Sequence, residues 1–126
     1  MTIVDSSVLV ASFLANDSQH EKAQRALKKL KNIGCPEYVV LEVANVLHNK
    51  KEHVLASSFL TLIEASSDIS ILLSTPTLLA ETMELFRADR FSKLSFVDAA
   101  LVVLSRDNEI LTFDAALARA IASRKR

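Results

Sequence analysis

The sequence predicts an α/β fold of three layers, α/β/α, with helices covering both faces of a central parallel sheet. Three observations carry this. Short β-branched or apolar runs alternate with stretches of helical periodicity along the whole chain. Three of the four strand-like runs lead into capping residues that open a helix, at Asp5, Thr75 and Asp114, which is the grammar of a crossover between parallel strands. The chain has 126 residues, half of them hydrophobic, so it is long enough for one packed domain, residues 1–126, and too short for two.

The elements follow in order. Thr2-Ile3-Val4 is a β-branched strand that stops at the polar cluster Asp5-Ser6-Ser7. Val8 to Leu14 reads as the first helix. Asn16-Asp17-Ser18 resets the chain before a helix over Gln19 to Lys31. Ala23, Ala26, Leu27 and Leu30 form its apolar stripe, and its lysines form a solvated face. Asn32 and Gly34 end that helix, Pro36 follows, and Cys35 to Tyr38 is a short strand. Val39 to Asn49 is a helix apolar nearly all round, interrupted by Glu42, Asn45 and Asn49 on one face. His53 to Ala65 is a further helix with Val54, Phe59, Leu62 and Ile63 inward. Ile69 to Leu73 is the strongest strand. Thr75-Pro76 opens a helix striped by Leu79, Met83 and Phe86, fading at Arg87 to Arg90. Ser95 caps Phe96 to Leu104, Glu109 to Phe113 is a strand ending at Asp114, and Ala115 to Arg124 is the last helix.

Composition excludes several classes. Fifteen Lys and Arg balance fifteen Asp and Glu, so a nucleic acid would need a local basic patch. Trp is absent and aromatics are few, which argues against a base-stacking platform. The lone Gly34 excludes a P-loop, a dinucleotide fingerprint and a nucleophile elbow. His48 and His53 are spaced i,i+5, off the face a helical zinc pair needs. The single Cys35 allows no internal disulfide and reads as a packing residue. No apolar run reaches ~18 residues and no leader pattern opens the chain, so a cytoplasmic protein with no membrane partner is expected.

Four acids stand out. Asp5 and Asp114 each follow a predicted strand, and in a parallel sheet the site lies beyond the carboxyl ends of the strands. Glu42 and Asp98 interrupt apolar helices. Taken singly, Asp5 and Asp114 read as helix caps and Glu42 as a lysine partner or an exposed residue. Asp98 gains ~0.3–1 kcal/mol from its helix N-terminus. Taken together they fit a hard divalent cation, Mg²⁺ or Mn²⁺, which removes their mutual repulsion. Such an ion activates water and stabilises a leaving oxygen, the chemistry of phosphodiester hydrolysis.

The segments TIVDSSVLVA, YVVLEVANVL, LSFVDAALVVLS and ILTFDAALA, at 2–11, 38–47, 94–105 and 110–118, resemble in order and spacing the motifs of the PIN-domain family. Toxins of VapBC toxin–antitoxin pairs are its small prokaryotic members. The resemblance implies a PIN-like fold and a Mg²⁺- or Mn²⁺-dependent endoribonuclease. It implies Asp5, Glu42, Asp98 and Asp114 as the catalytic acids. Asp5 and Asp98 would be the direct metal ligands, with Glu42 and Asp114 acting through water or a second ion. Ser6, Asn45 and Thr112 would support the site. An RNA substrate, an antitoxin partner and a homodimer are implied with it. One departure is that the sequence stops at Arg126, where many relatives add a short strand.

Rival readings are a PIN fold that binds or regulates without catalysis, a response-regulator receiver domain, and a structure-specific DNA nuclease. The receiver needs an acid after the third strand, where Ser74-Thr75-Pro76 stands. The DNA nuclease needs clamping elements for which this length leaves little room.

Overall fold

The computed structural model describes residues 1–124. Four parallel strands, β1 (Thr2–Val4), β2 (Ile33–Pro36), β3 (Ile69–Leu72) and β4 (Glu109–Leu111), form one sheet in the order β3-β2-β1-β4. Thr2 pairs with Ile33 on one side and Glu109 on the other; Ile33 pairs with Ile69. The helices are α1 (Ser6–Phe13), α2 (His20–Lys28), α3 (Glu37–Asn49), α4 (His53–Ala65), α5 (Pro76–Phe86), α6 (Phe96–Leu104) and α7 (Ala115–Arg124). A 3₁₀ turn, Asp89–Phe91, precedes α6. The main helix packing joins α1 to α2 and α3, and α3 to α4; separately it joins α5 to α6, and α6 to α7. The α/β/α architecture expected from the sequence is the one observed.

The core gathers where the pattern is most apolar. On α3, Val39, Val43 and Leu47 recur every four residues and are fully buried. On α6, Ala99 to Val103 is buried throughout, and Ile3 and Val4 fill the centre of the sheet. Phe13 meets Phe59 edge-on, with ring centroids 5.7 Å apart. Burying such a side chain contributes about 1.5–3 kcal/mol. Among the described residues no helix is long and apolar enough to cross a membrane.

Several boundaries and faces differ from the sequence reading. The first helix starts at Ser6, not Val8, because Asp5 caps it directly. The second strand is Ile33–Pro36, and Tyr38 already belongs to α3. Gly34 does not end a helix; α2 closes at Lys28 through a tight turn, and Gly34 lies inside β2. A Cβ there would lie 2.6 Å from Met1 Sδ and 3.0 Å from Leu72 Cδ1, so glycine is what lets those side chains close over the strand. The last strand ends at Leu111, since Thr112 and Phe113 turn their polar groups toward Asp5 and Ser7. On α4, Ala56, Phe59 and Ile63 face inward while Val54 and Leu62 are exposed. On α5, Thr82 and Leu85 are buried and the stripe of Leu79, Met83 and Phe86 is exposed.

Candidate functional site

In the order β3-β2-β1-β4 the chain runs outward from β1 to β3, then returns to add β4 on β1's free side. The switch point lies between β1 and β4, at their carboxyl ends, where crossing loops diverge and leave a crevice. Asp5 stands there as the first residue after β1, and Thr112 to Asp114 follow β4.

Asp5 is only 3% exposed, so its charge needs donors. Four are close. Its Oδ1 accepts from the Ser6 backbone N–H at 2.7 Å and from Ser6 Oγ at 3.4 Å. Its Oδ2 accepts from Thr112 Oγ1 at 2.7 Å and Ser7 Oγ at 2.9 Å. The Asp5 N–H also donates to the Leu111 carbonyl at 2.9 Å, which fixes the residue against β4. These donors replace the water that burial removes from the carboxylate.

Glu42 reaches the same place from α3. Ser6 Oγ donates to Glu42 Oε1 at 2.6 Å, so one hydroxyl bridges the two acids. Burial, then the nearby charges of Asp5 and Asp98, push the Glu42 carboxyl above its ordinary value; the Ser6 bond works against them. Asp98 enters from the first turn of α6, half-buried. It accepts from the Ser95 N–H at 3.2 Å while its own N–H donates to Ser95 Oγ at 3.1 Å, a reciprocal capping box. Burial raises its carboxyl too, aided by the charges of Asp5 and Asp114 and opposed by the Ser95 bonds. Asp114 caps α7, its Oδ1 accepting from the Ala116 and Leu117 N–H groups at 2.8 and 3.1 Å. The Asp114 N–H donates to Thr112 Oγ1 at 3.0 Å.

The capping and the clustering readings therefore hold together. Asp5 and Asp114 stand at helix starts and Asp98 in a first turn, and these positions bring Asp98 within electrostatic range of Asp5 and Asp114, and Glu42 within range of Asp5 and Asp98. Ser6 and Thr112 touch the acids directly. Asn45 lies one turn beyond Glu42 and is exposed. Ser7, which the sequence reading passed over as a cap, joins β4 to Asp5: it donates to Asp5 and accepts from the Phe113 N–H at 3.1 Å. A hydroxyl two residues beyond a strand-end aspartate was the available signal.

Hard carboxylate oxygens from four elements are the donor chemistry of Mg²⁺ or Mn²⁺, ions that keep several waters and need only one or two direct carboxylates. As the side chains stand, no group of three or more His, Cys, Asp or Glu among the described residues encloses a metal ion. Asp5 and Glu42 are instead held by the Ser6, Ser7 and Thr112 hydroxyls, and Asp98 and Asp114 by backbone N–H groups at their helix starts. The donor set fits the ion through its oxygen type and mutual repulsion.

Comparison with known proteins gives a consistent picture. The PIN domain family profile matches residues 2–122. Among solved structures, Mycobacterium tuberculosis VapC20, described as a Sarcin-Ricin loop cleaving toxin, superposes with a TM-score of 0.84. It is 24% identical over 95% of each chain, a likeness of fold. No curated protein matches the sequence.

Proposed function

Since the chain belongs to the PIN domain family, we propose that it is a metal-dependent endoribonuclease of the cytoplasm, the toxin of a VapBC-type pair. The observation that carries the reading is the convergence of Asp5, Glu42, Asp98 and Asp114 at the switch point of the sheet. The likeness of fold to a toxin that cleaves RNA supports the choice of substrate. Asp5 and Asp98 would hold a Mg²⁺ or Mn²⁺ ion, with Glu42 and Asp114 completing the pocket. A bound ion supplies charge neutralisation and Lewis-acid polarisation of a phosphodiester and of water.

The chain's own groups do the rest. Ser6 Oγ fixes Glu42 by one oxygen, Oε1. Glu42 Oε2, with no protein donor among the described residues, is free to take the proton of an attacking water. Ser7 and Thr112 hold Asp5 against β4, so its orientation survives substrate entry. An antitoxin partner would silence the protein by covering this crevice.

The test is cleavage of RNA with Mg²⁺ or Mn²⁺ by wild type and by Asp98→Asn. The variant keeps a side chain able to accept from the Ser95 N–H, so the fold should persist while cleavage falls by roughly 10²-fold or more. Equal cleavage by both proteins would overturn the role of the acidic quartet, and cleavage by neither favours a PIN fold that binds without catalysis.

A further inference from the structure

The chain carries no net charge, so a polyanion must be held by a local concentration of cations. One lies beside the acidic crevice. A cavity of about 550 Å³ opens between the segment 89–94 and the face of α7 bearing Ala116, Arg119, Ala120 and Ser123. Arg90, Lys93 and Arg119 line it against the single carboxylate of Asp89. All three cations are exposed. Among the described residues, ion pairs join Arg25 to Glu21 and Arg106 to Glu81 and Asp107, and none engages these three. Arg90 is also held in place: its guanidinium lies over the Phe91 ring at 4.6 Å, and Nη2 donates to Ser123 Oγ at 3.4 Å.

Both walls run into the acidic site. Leu94 immediately precedes Ser95, the cap that holds Asp98. On α7, Ala116 lines the cavity while its N–H donates to Asp114 Oδ1 at 2.8 Å. A groove whose cations make no ion pair among the described residues thus runs toward the acidic residues.

We propose that this groove binds the phosphodiester backbone of the RNA on one side of the cleaved bond, with Arg90, Lys93 and Arg119 as the phosphate contacts; this rests on the nuclease reading above. Arginine offers phosphate a planar fork of donors, and lysine a point charge. The one aromatic of the lining, Phe91, is buried. The groove therefore offers no exposed ring for base stacking, and it reads backbone rather than sequence.

The experiment measures binding of a labelled single-stranded RNA by fluorescence anisotropy, in EDTA and across a range of KCl concentrations. Wild type is compared with Arg90→Gln/Arg119→Gln. A second double variant, Lys28→Gln/Lys29→Gln, removes lysines outside the groove. Losing the two arginines should weaken binding roughly tenfold for every RNA sequence. The slope of log affinity against log salt should flatten by about 0.7 per lost contact. Arg90→Lys/Arg119→Lys should restore most of the slope. Unchanged affinity and slope in the arginine-to-glutamine variant, or an equal loss in the lysine variant, would overturn the groove. The two readings fail separately. Groove variants that bind like wild type, in a protein whose cleavage needs Asp98, discard the groove and keep the nuclease. Groove-dependent binding by a protein that cleaves nothing with either metal does the reverse.

Discussion

Asp5 is buried and still well provided with donors, whereas Glu42 and Asp98 are half-buried and less well served. This difference sets a pH signature. Both of the latter titrate above their ordinary values in the folded protein, burial being the main cause. A raised folded pKa means the protonated form favours folding. That stabilisation is complete below the ordinary values, 4.5 for Glu42 and 3.8 for Asp98, and is lost as pH rises through the raised ones. In metal-free buffer Glu42→Gln should therefore raise Tm at neutral pH by roughly 1–3 °C. The gain should disappear near pH ~4, where the wild-type residue is itself protonated. A neutral-pH Tm at or below wild type would contradict the electrostatic account. Cys35 is a simpler case: burial pushes its thiol up to about 11, so it acts as packing, as its isolation in the sequence suggested. What the sequence could not display at this scale is the hydroxyl network. The family resemblance pointed to Ser6 and Thr112, but the network they and Ser7 make around Asp5 is complete only when the fold brings position 112 against position 5.

At the scale of elements, the starts of α5 and α6 were legible because capping chemistry is local. Thr75 accepts from the Leu78 N–H with Pro76 in the first turn, and Ser95 caps α6, both at the residues that the sequence marked. Helix faces were harder to read. On α4 and α5, apolar residues occur on more than one side, so periodicity alone could not say which side meets the sheet. β2 was displaced because Ile-Gly-Cys-Pro has little strand propensity and is held by two neighbouring strands instead. The Ser95 cap is the element most closely tied to the site. Ser95→Ala should cost about 1 kcal/mol, lowering Tm by roughly 3–6 °C in a thermal melt. It should also loosen the hold on Asp98, so that cleavage falls by more than the stability loss accounts for. A melt unchanged from wild type would mean the box contributes nothing.

For the whole molecule, the strand order decides where chemistry is possible, and one switch point collects all four acids. The exposed apolar residues have a different distribution. Val54, Leu60 and Leu62 on α4, with Leu79, Met83 and Phe86 on α5, leave apolar area facing water. A homodimer, as the family resemblance implies, would cover such a surface. Light scattering should then report twice the 13.9 kDa chain mass, and a mass of one chain would contradict it. The pairing of β1 with β4 has a further consequence, one of timing. On the ribosome β1 finds its outer neighbour only when residues 109–111 emerge, and Asp114 comes later still. Until then Asp5 lacks Thr112, and the crevice lacks a wall. A nascent chain cannot assemble the pocket before residue 114 has been made, so the site is finished about 110 residues of synthesis after its first acid.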